Sequence, residues 1–167
     1  RLGMLSNQAL RAARLVVELK GWRVCPLVCY DLRFPVYLRN RWDAQRGFDY
    51  DLMLFVANWP SPRHHAWQTL LRARAIENLC YVAGVNRTGT DGNQLSYLGG
   101  SVALGPLGLL LVECGDQVQV VTTTLSAAAL AAKSRRAIGL MAGIVGGQIL
   151  NLEFRCPPNH STDPSED

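Results

Sequence analysis

The sequence predicts an α/β fold, and three observations carry that reading. Short apolar runs that stop at turn residues recur along the chain, at residues 22–28, 51–57 and 79–85. Between the second and third runs, Trp67, Leu70, Leu71 and Ala75 repeat at helical spacing. At 167 residues, 49% hydrophobic and 18% charged, the chain is long enough and apolar enough for one buried core.

Taken in order, residues 6–13 have helix or loop character. Leu15, Val17 and Leu19 then alternate with Val16, Glu18 and Lys20 in the period of a half-buried strand, which Gly21 turns. The next strand runs into Cys29, and Pro35 suits the first turn of a short helix reaching Arg41, with its arginines toward solvent. Residues 43–49 read as a polar connector.

The run at 51–57 is continuously apolar, as a strand covered on both faces must be, and it ends at Asn58-Trp59-Pro60. Ser61-Pro62 opens a helix to about residue 78, with one apolar face and an arginine-rich opposite face. A strand at 79–85 leads into a turn-rich loop at 86–93. Residues 99–104, 105–108 and 109–113 read as strand, tight turn and strand, and 118–124 as a further strand rich in β-branched residues. Ser126 caps an alanine-rich helix from 127 to 133, with basic residues as far as Arg136 at its C-terminal end.

Residues 137–150 are the most hydrophobic stretch, but they fall short of the roughly 20 residues that cross a membrane, so a docking or core segment is expected. Residues 157–167 are polar and acidic and read as a loose tail. No signal peptide opens the chain and no Met precedes Arg1, so the expectation is a fragment that has lost something upstream.

A net charge of +4 comes from scattered basic residues that are not interleaved with aromatics, which argues against a nucleic-acid partner. The five cysteines form no CxxC pair and no regular framework, so neither a structural metal nor a disulfide scaffold is expected. A cytoplasmic setting, with no membrane association, fits that usage.

Cys29 ends the second apolar run at a strand-to-helix junction. Such a junction lifts a side chain off the sheet and aims the following backbone N–H groups at the same point, so it can supply a nucleophile and an oxyanion site together. Arg33 stands near enough in sequence to favour the thiolate. Equally, a lone cysteine in an apolar run is often a small core residue.

The octapeptide Val28-Cys29-Tyr30-Asp31-Leu32-Arg33-Phe34-Pro35 resembles the nucleophile motif of the nitrilase superfamily of carbon-nitrogen hydrolases. Phe55-Val56-Ala57-Asn58-Trp59-Pro60, Arg72-Ala73-Arg74-Ala75-Ile76-Glu77-Asn78 and Val85-Asn86-Arg87-Thr88-Gly89 follow in that family's order and spacing and are most similar to its omega-amidase branch.

The resemblance implies an α-β-β-α sandwich of which residues 1–136 form the C-terminal part, incomplete at the N-terminus, with 137–167 a divergent segment. It also implies a Glu-Lys-Cys triad that cleaves the terminal amide of a small ω-amido carboxylate through a Cys thioester and releases ammonia. On that reading Cys29 is the nucleophile, the Tyr30 backbone N–H belongs to the oxyanion hole, and Glu77 supports the site, held by an arginine at a helix end that does not favour an acid. Arg33, Asn58, Trp59 and Arg87 would bind substrate, no cofactor is needed, and a homo-oligomer is expected. The Glu and Lys motifs belong upstream, where only Glu18 and Lys20 stand, without the surrounding motif. The chain thus has a nucleophile without a recognisable base, and alone it is expected to be nearly inert.

Two other readings remain open. A glutamine amidotransferase-like Cys hydrolase would use Cys29, His64 or His65, and Glu77, although bulky Val28 and Tyr30 do not suit a strained elbow. A non-catalytic truncated domain would associate through the retained sheet surface.

Overall fold

The computed structural model describes residues 14–138 and 149–155. The expectations for residues 6–13, for 139–148 of the hydrophobic stretch and for the tail at 157–167 lie outside them. In chain order the strands are β1 (Val17–Leu19), β2 (Trp22–Val28), β3 (Trp42–Asp43), β4 (Gly47–Phe48), β5 (Leu52–Ala57), β6 (Tyr81–Asn86), β7 (Thr88–Thr90), β8 (Ser96–Leu98), β9 (Val102–Leu104), β10 (Leu110–Glu113), β11 (Val120–Ser126) and β12 (Ile149–Arg155). The helices are α1 (His64–Asn78) and α2 (Ala127–Ile138), and 3-10 turns span Cys29–Arg33 and Ser61–Arg63.

Six strands form one mixed sheet in the order β1-β2-β5-β6-β9-β10. The inner strands β2, β5 and β6 are mutually parallel, and the others join antiparallel. Parallel neighbours need crossovers, and α1 supplies the one between β5 and β6. This is the α/β architecture that the alternating pattern predicts.

The two faces of the sheet are covered differently. On one, Cys25, Leu27, Met53, Phe55 and Val82 pack with Trp67, Leu71 and Ala75 of α1. Gly84 allows the helix to approach this closely, since a Cβ there would lie 2.6 Å from Leu71 Cδ1 and 2.9 Å from Trp67 Cζ2. On the other face, Trp22, Val24, Leu52, Tyr81 and Ala103 pack with Leu125 and Leu130 at the β11–α2 junction. The Tyr81 hydroxyl fastens that junction by donating to the Ser126 carbonyl at 3.1 Å. Ser126 caps α2 as its position predicts, its Oγ accepting from the Ala129 N–H at 3.2 Å.

Among the described residues, cover on this second face stops short of the strand ends. Val28 and Val56 are register partners there and are 64% and 50% exposed. Val17 and Leu19, opposite Val24 and Trp22, extend the apolar surface along β1.

Three expectations need correction. Residues 35–41 form turns and no helix. The carbonyls of Tyr37 and Arg39 accept from the Arg14 guanidinium at 3.2 and 2.7 Å, and the Leu38 carbonyl accepts from the Tyr50 hydroxyl, so side chains from outside the segment fix its turns. The connector at 43–49 contains the β3–β4 hairpin, turned by Asp43, whose carboxylate accepts from the backbone N–H groups of Gln45 and Arg46. The loop at 86–93 contains β7, paired with β8. β12, within the segment expected to diverge, pairs along its whole length with β11, from Val120 opposite Arg155 to Ser126 opposite Ile149.

Candidate active site

Parallel strands in register deliver their following residues to one edge of a sheet, where ligands of open α/β sheets gather. Here Val28 pairs with Val56, and Ala57 with Asn86. Cys29, Asn58 and Arg87 each follow the last residue of a parallel strand, so the three arrive side by side.

Cys29 turns the chain with φ at +42°, in the left-handed region that residues with a Cβ seldom enter. The Asp31 carboxylate, accepting from the Val28 N–H at 2.9 Å, holds the turn closed. The Cys29 thiol is half-buried and lies 4.0 Å from the Asn58 carbonyl. Cys25, Cys80 and Cys114 are buried, and burial pushes the Cys25 thiol up to about 11 and the Cys80 thiol higher still. Those cysteines are core residues, as sequence alone allowed for any of them, whereas Cys29 opens to solvent at a strand end. Tyr30 is the second residue of the 3-10 turn, and the opening amides of such a turn have no partner within it.

Around the thiol, the Arg33 guanidinium stacks over the rings of Tyr30 at 5.6 Å and Trp59 at 5.3 Å. Trp59 is buried, its ring 5.5 Å from that of Trp67, and its indole N–H donates to the Arg63 carbonyl at 2.7 Å. Arg87 lies 4.6 Å over the Tyr97 ring, and the Tyr97 hydroxyl donates to Asp91 at 2.9 Å. Desolvation first, then the Asp91 contact, raise the Tyr97 phenol, and the charge of Cys29 adds to the effect.

Glu77 belongs to an ion pair on α1. It accepts from Arg74 at 2.8 Å, and Arg74, itself buried, donates to the Leu32 carbonyl at 3.0 and 2.7 Å. Glu77 therefore acts on the 3-10 turn through the arginine.

The alternative triad is not assembled. His64 and Glu77 stand thirteen residues apart on α1, about 20 Å along its axis, so they cannot meet at one thiol. His64 packs against Gly100, and His65 Nε2 lies 3.5 Å from Thr69 Oγ1. Glu18 sits opposite Arg23, six residues before Cys29 and about 20 Å away along the strand, and Lys20 lies beyond it in the β1–β2 turn. Among the described residues, no cluster of three His, Cys, Asp or Glu side chains could hold a metal, and no helix is long and apolar enough to cross a membrane.

Sequence reading missed Asn86 and Tyr97. The partners of Asn86 lie 13 and 27 residues away in sequence, and no local pattern signals them.

The model of the carbon-nitrogen hydrolase family matches residues 8–135. The chain belongs to that family. Among carbon-nitrogen hydrolases it is similar to omega-amidase YafV of Escherichia coli, at 53% identity over 119 residues, covering 71% of this chain and 44% of that one. It is 60% identical over 95 residues to omega-amidase YafV of Yersinia enterocolitica, covering 57% of this chain and 35% of the relative. It also superposes on the crystal structure of XC1258 from Xanthomonas campestris, a CN-hydrolase superfamily protein with an arsenic adduct in its active site. The TM-score there is 0.71 at 59% identity, covering 80% of this chain and 52% of that one. The chain thus spans about half the length, or less, of the carbon-nitrogen hydrolases it matches.

Proposed function

We propose that this polypeptide carries the nucleophile of an amidohydrolase that cleaves the terminal amide of a small ω-amido carboxylate. The observation that carries the reading is Cys29 itself, half-buried on a left-handed turn where three parallel strands end. Similarity to omega-amidases supports the amide as substrate class.

The Cys29 sulfur adds to the amide carbon and gives up its proton. The C–N bond then breaks as the nitrogen takes a proton and leaves as ammonia, and water hydrolyses the resulting thioester to the carboxylic acid. The Tyr30 N–H faces the developing oxyanion in this scheme, Arg33 on its aromatic platform pairs with the distal carboxylate, and Asn58, Trp59 and Arg87 line the pocket. Glu77 contributes by bracing Arg74. A base and a second cation for the oxyanion are needed too, and Glu18 and Lys20 stand too far away to provide them. The test is ammonia release from the ω-monoamide of a dicarboxylic acid, comparing this chain with Cys29→Ala. Release that disappears in the variant supports the reading. Equal release from both removes Cys29 as nucleophile, and none from either removes this chain as an enzyme on its own.

A second reading rests on the uncovered sheet face. Exposed Val17, Leu19, Val28 and Val56 form an apolar surface of the kind that association covers, and its occupant on this reading is a second copy of the chain. Sedimentation across a concentration series tests it, and a monomer at every concentration overturns it.

A further inference from the structure

We propose that Asn86, at the end of β6, is a positioning residue that sets the carboxylate-reading geometry of the site by holding the Trp59 platform under Arg33. The inference rests on the amidase reading and deepens it.

Asn86 is 0% exposed, and its side-chain amide is fully engaged. Oδ1 accepts from the Trp59 N–H at 2.7 Å, while Nδ2 donates to the Trp59 carbonyl at 3.0 Å and to the Gly99 carbonyl at 2.9 Å. One planar amide thus pairs with both backbone groups of a single residue, as a neighbouring strand would. It does so beyond the end of β5, where the ladder has stopped.

What hangs on that rung is the binding side of the site. Trp59 presents its ring to the Arg33 guanidinium at 5.3 Å, and the residue before it places its carbonyl 4.0 Å from the thiol. Asparagine suits this position chemically. The rung needs two donors and an acceptor in one plane, and an ionised aspartate would turn a negative oxygen toward two carbonyls.

Iodoacetamide and iodoacetate test the proposal, because they share an electrophile and differ as amide against carboxylate. Their alkylation rates are read at the Cys29 peptide by mass spectrometry, and the ratio of iodoacetate to iodoacetamide reports the arginine platform. The expected result is that Asn86→Ala lowers the ratio about fivefold, close to the effect of Arg33→Met. Ser101→Ala should leave it unchanged, since Ser101 Oγ accepts from the Asn86 backbone N–H at 2.9 Å and donates to its carbonyl at 3.1 Å, and both are backbone groups. An unchanged ratio in Asn86→Ala where Arg33→Met lowers it overturns the role of Asn86 and leaves the amidase reading standing. An unchanged ratio in Arg33→Met overturns the carboxylate reading and the proposal with it. An equal fall in Ser101→Ala assigns the effect to general loosening and overturns the proposal.

Asn86→Asp supplies the rescue that a purely structural role does not predict. Near pH 5 its protonated carboxyl restores the acceptor and one of the two donors, and its ratio relative to the unmutated chain should partly recover, then fall near pH 8. No recovery overturns the proposal even where Asn86→Ala fails to fold.

Discussion

Arg74, in the middle of α1, donates twice to the carbonyl of Leu32, at 3.0 and 2.7 Å, and so ties the helix to the turn that begins with Cys29. Arg74→Met leaves that carbonyl without the guanidinium and removes the ion pair of Glu77. The expected loss is about 2–4 kcal/mol in urea unfolding, with faster and less selective alkylation of Cys29. A loss below about 0.5 kcal/mol would mean that the turn holds itself.

Thiol accessibility orders the cysteines. Near pH 8, iodoacetamide should label Cys29 at least about 100-fold faster than Cys25 or Cys80, because labelling the latter two requires an opening of the fold. Peptide mapping over a time course reads all three at once. Comparable rates would place Cys29 in an environment no different from the core.

Alkali should weaken the fold through the buried thiols. Burial raises Cys25 from 9.0 to about 11, so the folded chain keeps this proton after the unfolded chain has lost it. The contribution is therefore complete below pH 9 and is lost as pH climbs to about 11, amounting to about 2–3 kcal/mol for a shift of this size. Stability measured from pH 8 to 11 should fall with a shallower slope in Cys25→Ala.

Gly84 is expected to resist substitution. With a Cβ placed 2.6 Å from Leu71 Cδ1, Gly84→Ala should cost about 1–3 kcal/mol through displacement of α1. Thermal unfolding measures this, and an unchanged midpoint would show that α1 can shift without loss.

If the sheet face mediates association, Val28→Thr with Val56→Thr should weaken it about tenfold, since the two are register partners on the exposed end of that face. The dissociation constant from sedimentation is the readout, and an unchanged value would move the contact elsewhere.

The strands and α1 that build the central layer were legible because burial imposes a period. β2, β5 and β6 are apolar runs, and the Trp67, Leu71 and Ala75 face of α1 repeats at helical spacing. Cys29 was legible as a strand end, and its neighbours by resemblance. What escaped was polar and distant in sequence. Asn40 donates from its backbone N–H to Asn78 Oδ1 at 2.8 Å across 38 residues, and Asn86 reaches Trp59 across 27. Neither pairing leaves a periodic trace. The turns at 35–41 are of the same kind, since Arg14 and Tyr50, outside that segment, bond its carbonyls.

The contacts described for the thiol turn have an architectural consequence. Asp31, Arg33, Asn58, Trp59, Arg74, Glu77, Asn86 and Gly99 all fall between residues 28 and 101. Cys29 and these scaffolding contacts therefore lie on one contiguous stretch of the chain. Recombination, insertion or divergence on either side of it can reshape the rest of the chain while these contacts around the cysteine are inherited together.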